Sequence, residues 1–153
     1  SPGRDVCPRV AAVAGVFCHM RLCIDLDGVV CTLKLPGQTY DDVVPVPGAV
    51  ERLRELRAHG HVIILHTARH MKTCEGNVGQ VVARIGQVTL NWLARHKVEF
   101  DELYFGKPWA DIYIDDNAFR FTNWTAIDAD AANLPASCEV SHADALLMPP
   151  AQR

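Results

Sequence analysis

The chain has 153 residues, of which 49% are apolar and 22% charged, with a formal net charge of -3. That length suits one domain with a real core, and that charge gives no reason to expect nucleic acid or an anionic membrane as the main partner. No run of about eighteen apolar residues is present, so no membrane span is expected, and the six cysteines form no C-x-x-C pair.

Residues 1–19, SPGRDVCPRVAAVAGVFCH, hold an apolar patch after Arg9 but lack the cationic start and small-residue cleavage site of a signal peptide. They read as an N-terminal extension, partly disordered, with Met20 opening the fold. The sequence RLCIDL (21–26) reads as a buried strand. Residues 31–46 form a loop with Pro36, Gly37, Pro45 and the acidic pair Asp41 and Asp42. Pro47 suits a first helical position, Val50, Leu53 and Leu56 follow helical spacing, and Gly60 is a stop. HVIILHT (61–67) is short and β-branched, hence a second strand.

A polar loop, 70–77, precedes a long helix over 78–96, with Val81, Val82, Ile85, Val88, Trp92 and Leu93 on its apolar side. Short strands are predicted at 102–105, at 112–114 (IYI) and around Trp124 to Ile127. The domain is drawn as 20–130, with 131–153 as a C-terminal tail.

Strand, helix, strand, helix, strand is the pattern of an α/β domain with a parallel sheet, whose ligand site lies outside the carboxyl ends of the strands. The unusual polar residues fall at those ends: Asp25 and Asp27 after the first strand, His66, Thr67 and Arg69 after the second, Lys107 after the third, Asp115 and Asp116 after IYI. Asp25 and Asp27 share one face of a strand, roughly 7 Å apart. Like charges so close need a positive partner or a shared proton. A hard divalent cation with oxygen ligands meets that need, and Mg²⁺ commonly combines carboxylates, waters and a substrate phosphate. Thr67 and Lys107 would then bind phosphate oxygens.

DLDGV (25–29), HTAR (66–69), Lys107 and Asp115-Asp116 resemble, in order, the four motifs of the haloacid dehalogenase (HAD) superfamily of phosphotransferases. The segments HTARHMKTCEGNVG and FGKPWADIYIDDNA resemble the small HAD phosphatases found with capsular-polysaccharide biosynthesis genes. The resemblance covers about residues 21–120. It implies a Rossmann-like parallel sheet sandwiched by helices, the HAD core, without a large cap domain. It implies a Mg²⁺-dependent phosphomonoester hydrolase acting on a sugar phosphate or related biosynthetic intermediate. Asp25 is then the nucleophile that forms an aspartyl-phosphate, and Asp27 the general acid and base. Thr67 and Lys107 steady the phosphoryl oxygens, and Arg69 reaches the rest of the substrate. Asp25, the main-chain carbonyl of Asp27, Asp116 and Asp115 form the Mg²⁺ set, the last two unranked. Val29 departs from the Thr often found after the glycine.

Plainer readings stand beside these. Thr67 is a strand-end residue, Lys107 a solvated loop lysine, and Asp115-Asp116-Asn117 a turn. An EF-hand fails because its twelfth position falls on Pro36. A zinc site from Cys18, His19 and Cys23 has no ordinary spacing. Cys31 lacks a base partner, and Trp92 and Trp109 read as packing residues. Two further functional classes remain: a phosphotransferase or mutase, and a non-catalytic module that binds a phosphate ligand. The thiols fit a cytoplasmic protein, and an open site on a small domain suits a homo-oligomer.

Overall fold

The computed structural model describes residues 19–135. The elements in chain order are β1 (Arg21–Asp25), α1 (Ala49–Ala58), β2 (Val62–Thr67), α2 (Val78–Arg95), β3 (Glu102–Phe105) and a 3₁₀ turn (Trp124–Ala126). The three strands form a parallel sheet in the order β1-β2-β3. This is the α/β class expected, with each parallel pair joined through a helix.

β2 is central because its sequence can be buried: Ile63, Ile64 and Leu65 lie in the core. Its register sets Asp25 opposite His66 and Thr67 opposite Phe105, so all three strands end at one rim. Helix α1 begins at Ala49 after Gly48, whose φ is 84°. Pro47 therefore precedes the helix instead of opening it. Helix α2 begins where the Asn77 side chain accepts from the Gln80 N–H at 3.1 Å, which satisfies one of the end donors. Its buried stripe is Val81, Ile85, Gly86, Thr89, Trp92 and Leu93, while Val82 faces outward.

Two buried tryptophans tie the loop after β1 to the core. Trp92 Nε1 donates to the Val43 carbonyl at 2.7 Å, and Trp124 Nε1 donates to the Val29 carbonyl at 2.7 Å. Trp92 is thus the packing residue expected. Trp109 is not: it is 58% exposed, with the Lys72 ammonium 4.6 Å from its ring centroid.

Three expectations need correction. Residues 112–114 form no strand, and Ile114 is 97% exposed. A β-branched run makes a strand only when a neighbouring strand pairs with it. The segment around Trp124 is a 3₁₀ turn, capped by the Asn123 side chain. Ala131 and Leu134 are buried in the main core, so the packed unit runs past residue 130. The expectations for residues 1–18 and 136–153, including Cys18 as a ligand, lie outside the described residues. Among those described, no helix is long and apolar enough to cross a membrane.

Candidate active site

The site begins with the turn after β1. The Leu26 N–H donates to the His66 carbonyl, continuing the sheet by one bond. The chain then turns: Cys31 N–H donates to the Leu26 carbonyl at 3.0 Å and Gly28 N–H to the Cys31 carbonyl at 2.8 Å. Gly28 has φ +87°, a conformation that L side chains rarely adopt. The turn brings the Asp27 carboxylate to the end of β2.

There Asp27 meets Arg69 and Thr67. Arg69 Nε donates to both carboxylate oxygens at 3.1 Å, and Nη2 donates to Oδ1 at 2.9 Å. The Thr67 hydroxyl donates to Oδ2 at 3.1 Å and accepts from the Arg69 N–H at 3.1 Å. Arg69 is 2% exposed. Its Nη1 donates to Thr89 Oγ1 at 3.1 Å, and that hydroxyl donates in turn to the Ile85 carbonyl on α2 at 2.8 Å. The Tyr40 ring lies under the guanidinium, 4.3 Å from its carbon to the centroid. Such a buried fork fixes both the place and the orientation of a carboxylate.

Asp25 has a different partner. Lys107 Nζ lies 3.4 Å from its Oδ2, and the Lys107 N–H donates to the Thr67 carbonyl at 3.1 Å. Burial pushes the Asp25 carboxyl above its usual range, against the pull of the Lys107 ammonium. Burial and the Lys107 charge push the His66 imidazole down. The Cys31 thiol is pushed up to about 12, first by burial and then by the Asp27 charge. It donates to Asp27 Oδ1 at 3.4 Å and is poorly suited to act as a thiolate nucleophile.

The structure therefore brings together Asp25, Asp27, Thr67, Arg69 and Lys107. Arg69 differs from the expectation that it reaches along the substrate, because its donors are committed to Asp27, Thr89 and Cys31. Thr67 has also given its one proton to Asp27, so a phosphoryl oxygen would have to take that proton from it. Asp115 and Asp116 lie on the exposed segment, where Asp115 Oδ1 accepts from the Asn117 N–H at 2.7 Å. Among the described residues no group of three or more acids, histidines or cysteines is placed to hold a metal ion. The oxygen chemistry of Asp25, Asp115 and Asp116 suits Mg²⁺.

Tyr40, Thr89 and His70 are members of the cluster that the motifs do not mark. Thr89 carried a faint signal, a polar residue on the apolar stripe of α2. His70 has φ 58°, and its ring stands edge-on to Tyr40 at 5.7 Å. Positive φ at a residue other than glycine is uncommon and tends to mark functional sites.

Gly106 sets the position of Lys107. Its φ is +94°, and an added Cβ would stand 3.0 Å from Val78 Cγ2. Gly106→Ala is expected to cost about 1–2 kcal/mol, lowering the melting temperature by roughly 3–6 °C. Thermal melting followed by circular dichroism checks this, and an unchanged melting point would show that the turn accepts a side chain.

Neither a family model nor a curated protein matches the chain. Among solved structures it is similar to the crystal structure of a target protein from Vibrio cholerae, with 31% identity over 84% of this chain and 96% of that one and a TM-score of 0.62. A chain of a Pnkp1/Rnl/Hen1 complex is 20% identical over 64% of this chain and 31% of its own length, with a TM-score of 0.43. The second likeness is too slight to bear on fold or function.

Proposed function

The chain belongs to the same family as the Vibrio cholerae protein, and from the site at the rim of its sheet we propose that it is a phosphomonoester hydrolase of HAD type. It would act on a sugar phosphate or related biosynthetic intermediate, with Mg²⁺, through an aspartyl-phosphate. The observation that carries this reading is the placement of Asp25 against Lys107, beside Asp27, at the carboxyl ends of parallel strands.

In the first step an Asp25 carboxylate oxygen attacks phosphorus, and the bond to the leaving oxygen breaks with its electron pair. Asp27 gives that oxygen a proton, for which it must enter the step protonated, with one of its oxygens released from the Arg69 or Thr67 donor it accepts from at rest. In the second step Asp27 takes a proton from water, the hydroxide attacks phosphorus, and the Asp25 carboxylate leaves with the electrons of the acyl–phosphate bond. The Lys107 ammonium, 3.4 Å from Asp25, offsets the charge that builds as carboxylate and phosphate approach. Arg69 and Thr67 hold Asp27 in place, and the exposed fifth of its side chain adjoins the cleft where a leaving group can lie. Bound Mg²⁺, which Asp25, the main-chain carbonyl of Asp27, Asp115 and Asp116 would hold, would draw charge from the phosphoryl group.

The test is phosphate release from sugar phosphates, sugar bisphosphates and nucleotides, with Mg²⁺ and with EDTA. Release from one class, lost in EDTA, is the expected result. The nucleophile must be ionised; burial raises the Asp25 carboxyl in the metal-free protein, and a bound cation would pull it back down. Silence across the panel from folded protein would reject the reading.

A further inference from the structure

A cleft of about 370 Å³ runs outward from Asp27, lined by Leu33, Lys34, Tyr40, Ala68 and Arg69. The acids at its inner end are matched by cations, Asp25 by Lys107 and Asp27 by Arg69. Its outer end is not balanced in this way. Lys34 lines it, exposed, with Nζ 5.7 Å from the Tyr40 ring centroid. No ion pair to Lys34 or to Arg84 forms among the described residues. The nearby Asp41 is paired with Arg95 at 3.0 Å, and Asp42 accepts from Thr39 within its own turn. His70, across Tyr40, is held below its usual range first by burial and then by Arg84, Lys34 and Arg69. Lys34 thus sets an unbalanced positive charge beside Tyr40 at the outer end of the cleft, in a chain whose formal net charge is -3. The loop that carries Lys34 and Tyr40 is tied to α2 by the Trp92 bond to Val43.

Resting on the hydrolase reading, we propose that Lys34, with Tyr40 and His70 beside it, receives a second anionic group of the substrate. The substrate class is then a small phosphomonoester that carries a carboxylate or a second phosphate beyond the scissile group. Arg69 cannot serve this purpose, because its fork is committed to Asp27. Lys34 can, as an exposed ammonium on a flexible stem.

The experiment compares kcat/KM of the full chain for three sugar phosphates of similar size: one neutral beyond the phosphate, one bearing a carboxylate, one bearing a second phosphate. At least a tenfold preference for one anionic ester is expected, residing in KM and shrinking as salt is raised. The arm that is preferred separates carboxylate from phosphate. Lys34→Met should reduce the preference to within about threefold of unity. Equal use of all three esters, or a preference that survives Lys34→Met, would overturn the proposal. If no ester is hydrolysed, the hydrolase reading fails separately, and calorimetric binding of pyrophosphate against inorganic phosphate decides the subsite. Tighter pyrophosphate binding that Lys34→Met removes supports it; equal affinities reject it.

Discussion

Asp25→Asn is expected to lower phosphate release by about 10⁴-fold or more while leaving the protein folded. The amide keeps the shape of the side chain but cannot attack phosphorus. The stability of this variant carries a second signature. Because burial outweighs the Lys107 charge in raising the Asp25 carboxyl, the folded state disfavours the ionised form relative to the unfolded chain. Asp25 therefore adds to stability only at low pH, and that contribution is lost as pH rises through its raised folded value. At pH 7 the Asn variant should melt no lower than the wild type. Its advantage should vanish on acidification through the carboxylate range, where the wild-type group is also neutral. Full activity of the variant would end the aspartyl-phosphate mechanism. A much lower melting point at pH 7 would show that the Lys107 pair, and not burial, governs this carboxylate.

Arg69→Met should be the most damaging single change to the fold of the site. It removes three bonds to Asp27 and leaves that carboxylate without its cation. Breaking a buried pair from one side costs about 3–5 kcal/mol, and the partial exposure of Asp27 moves the expectation to about 2–4 kcal/mol. Urea denaturation measures the loss. Activity should fall with it, since Asp27 is no longer oriented. Arg69→Lys keeps the charge but not the fork, and should lie between. The double variant Arg69→Met, Asp27→Asn should regain part of the stability, because no unpaired charge remains. If the double variant is as unstable as the sum of the single changes, the pair is not the source of the effect.

Much of this arrangement was legible in the sequence, for a physical reason. Apolar runs bounded by turn residues marked β1, β2 and β3, and the 3.6-residue stripe marked α2. Parallel strands then gather their terminal residues at one rim, which placed Asp25, Asp27, Thr67 and Lys107 together before any coordinates. What escaped depended on contacts between distant segments. Arg69 looked like a substrate-binding cation, because nothing in HTAR shows that Thr89 and Asp27 enclose it. Tyr40 was one aromatic in a polar loop, and its place under Arg69 depends on how residues 32–46 fold back over the sheet. The IYI run had the composition of a strand, but pairing is a property of the neighbour as well as of the run.

The position of β1 has a consequence for how the molecule behaves in a crowded solution. Among the described residues β1 pairs with β2 alone and so borders the sheet. A bare strand border is a template on which another chain can grow a strand, the first step toward insoluble aggregates. Charges stand at both ends of this border, Arg21 at its start and Asp25 at its finish. A second β1 laid beside it in parallel and in register would set Arg21 against Arg21 and Asp25 against Asp25, each already paired within its own chain, with Glu102 and with Lys107. Only an antiparallel copy would set Arg21 beside Asp25, so the charges at the ends of β1 bias any pairing on this border by its direction.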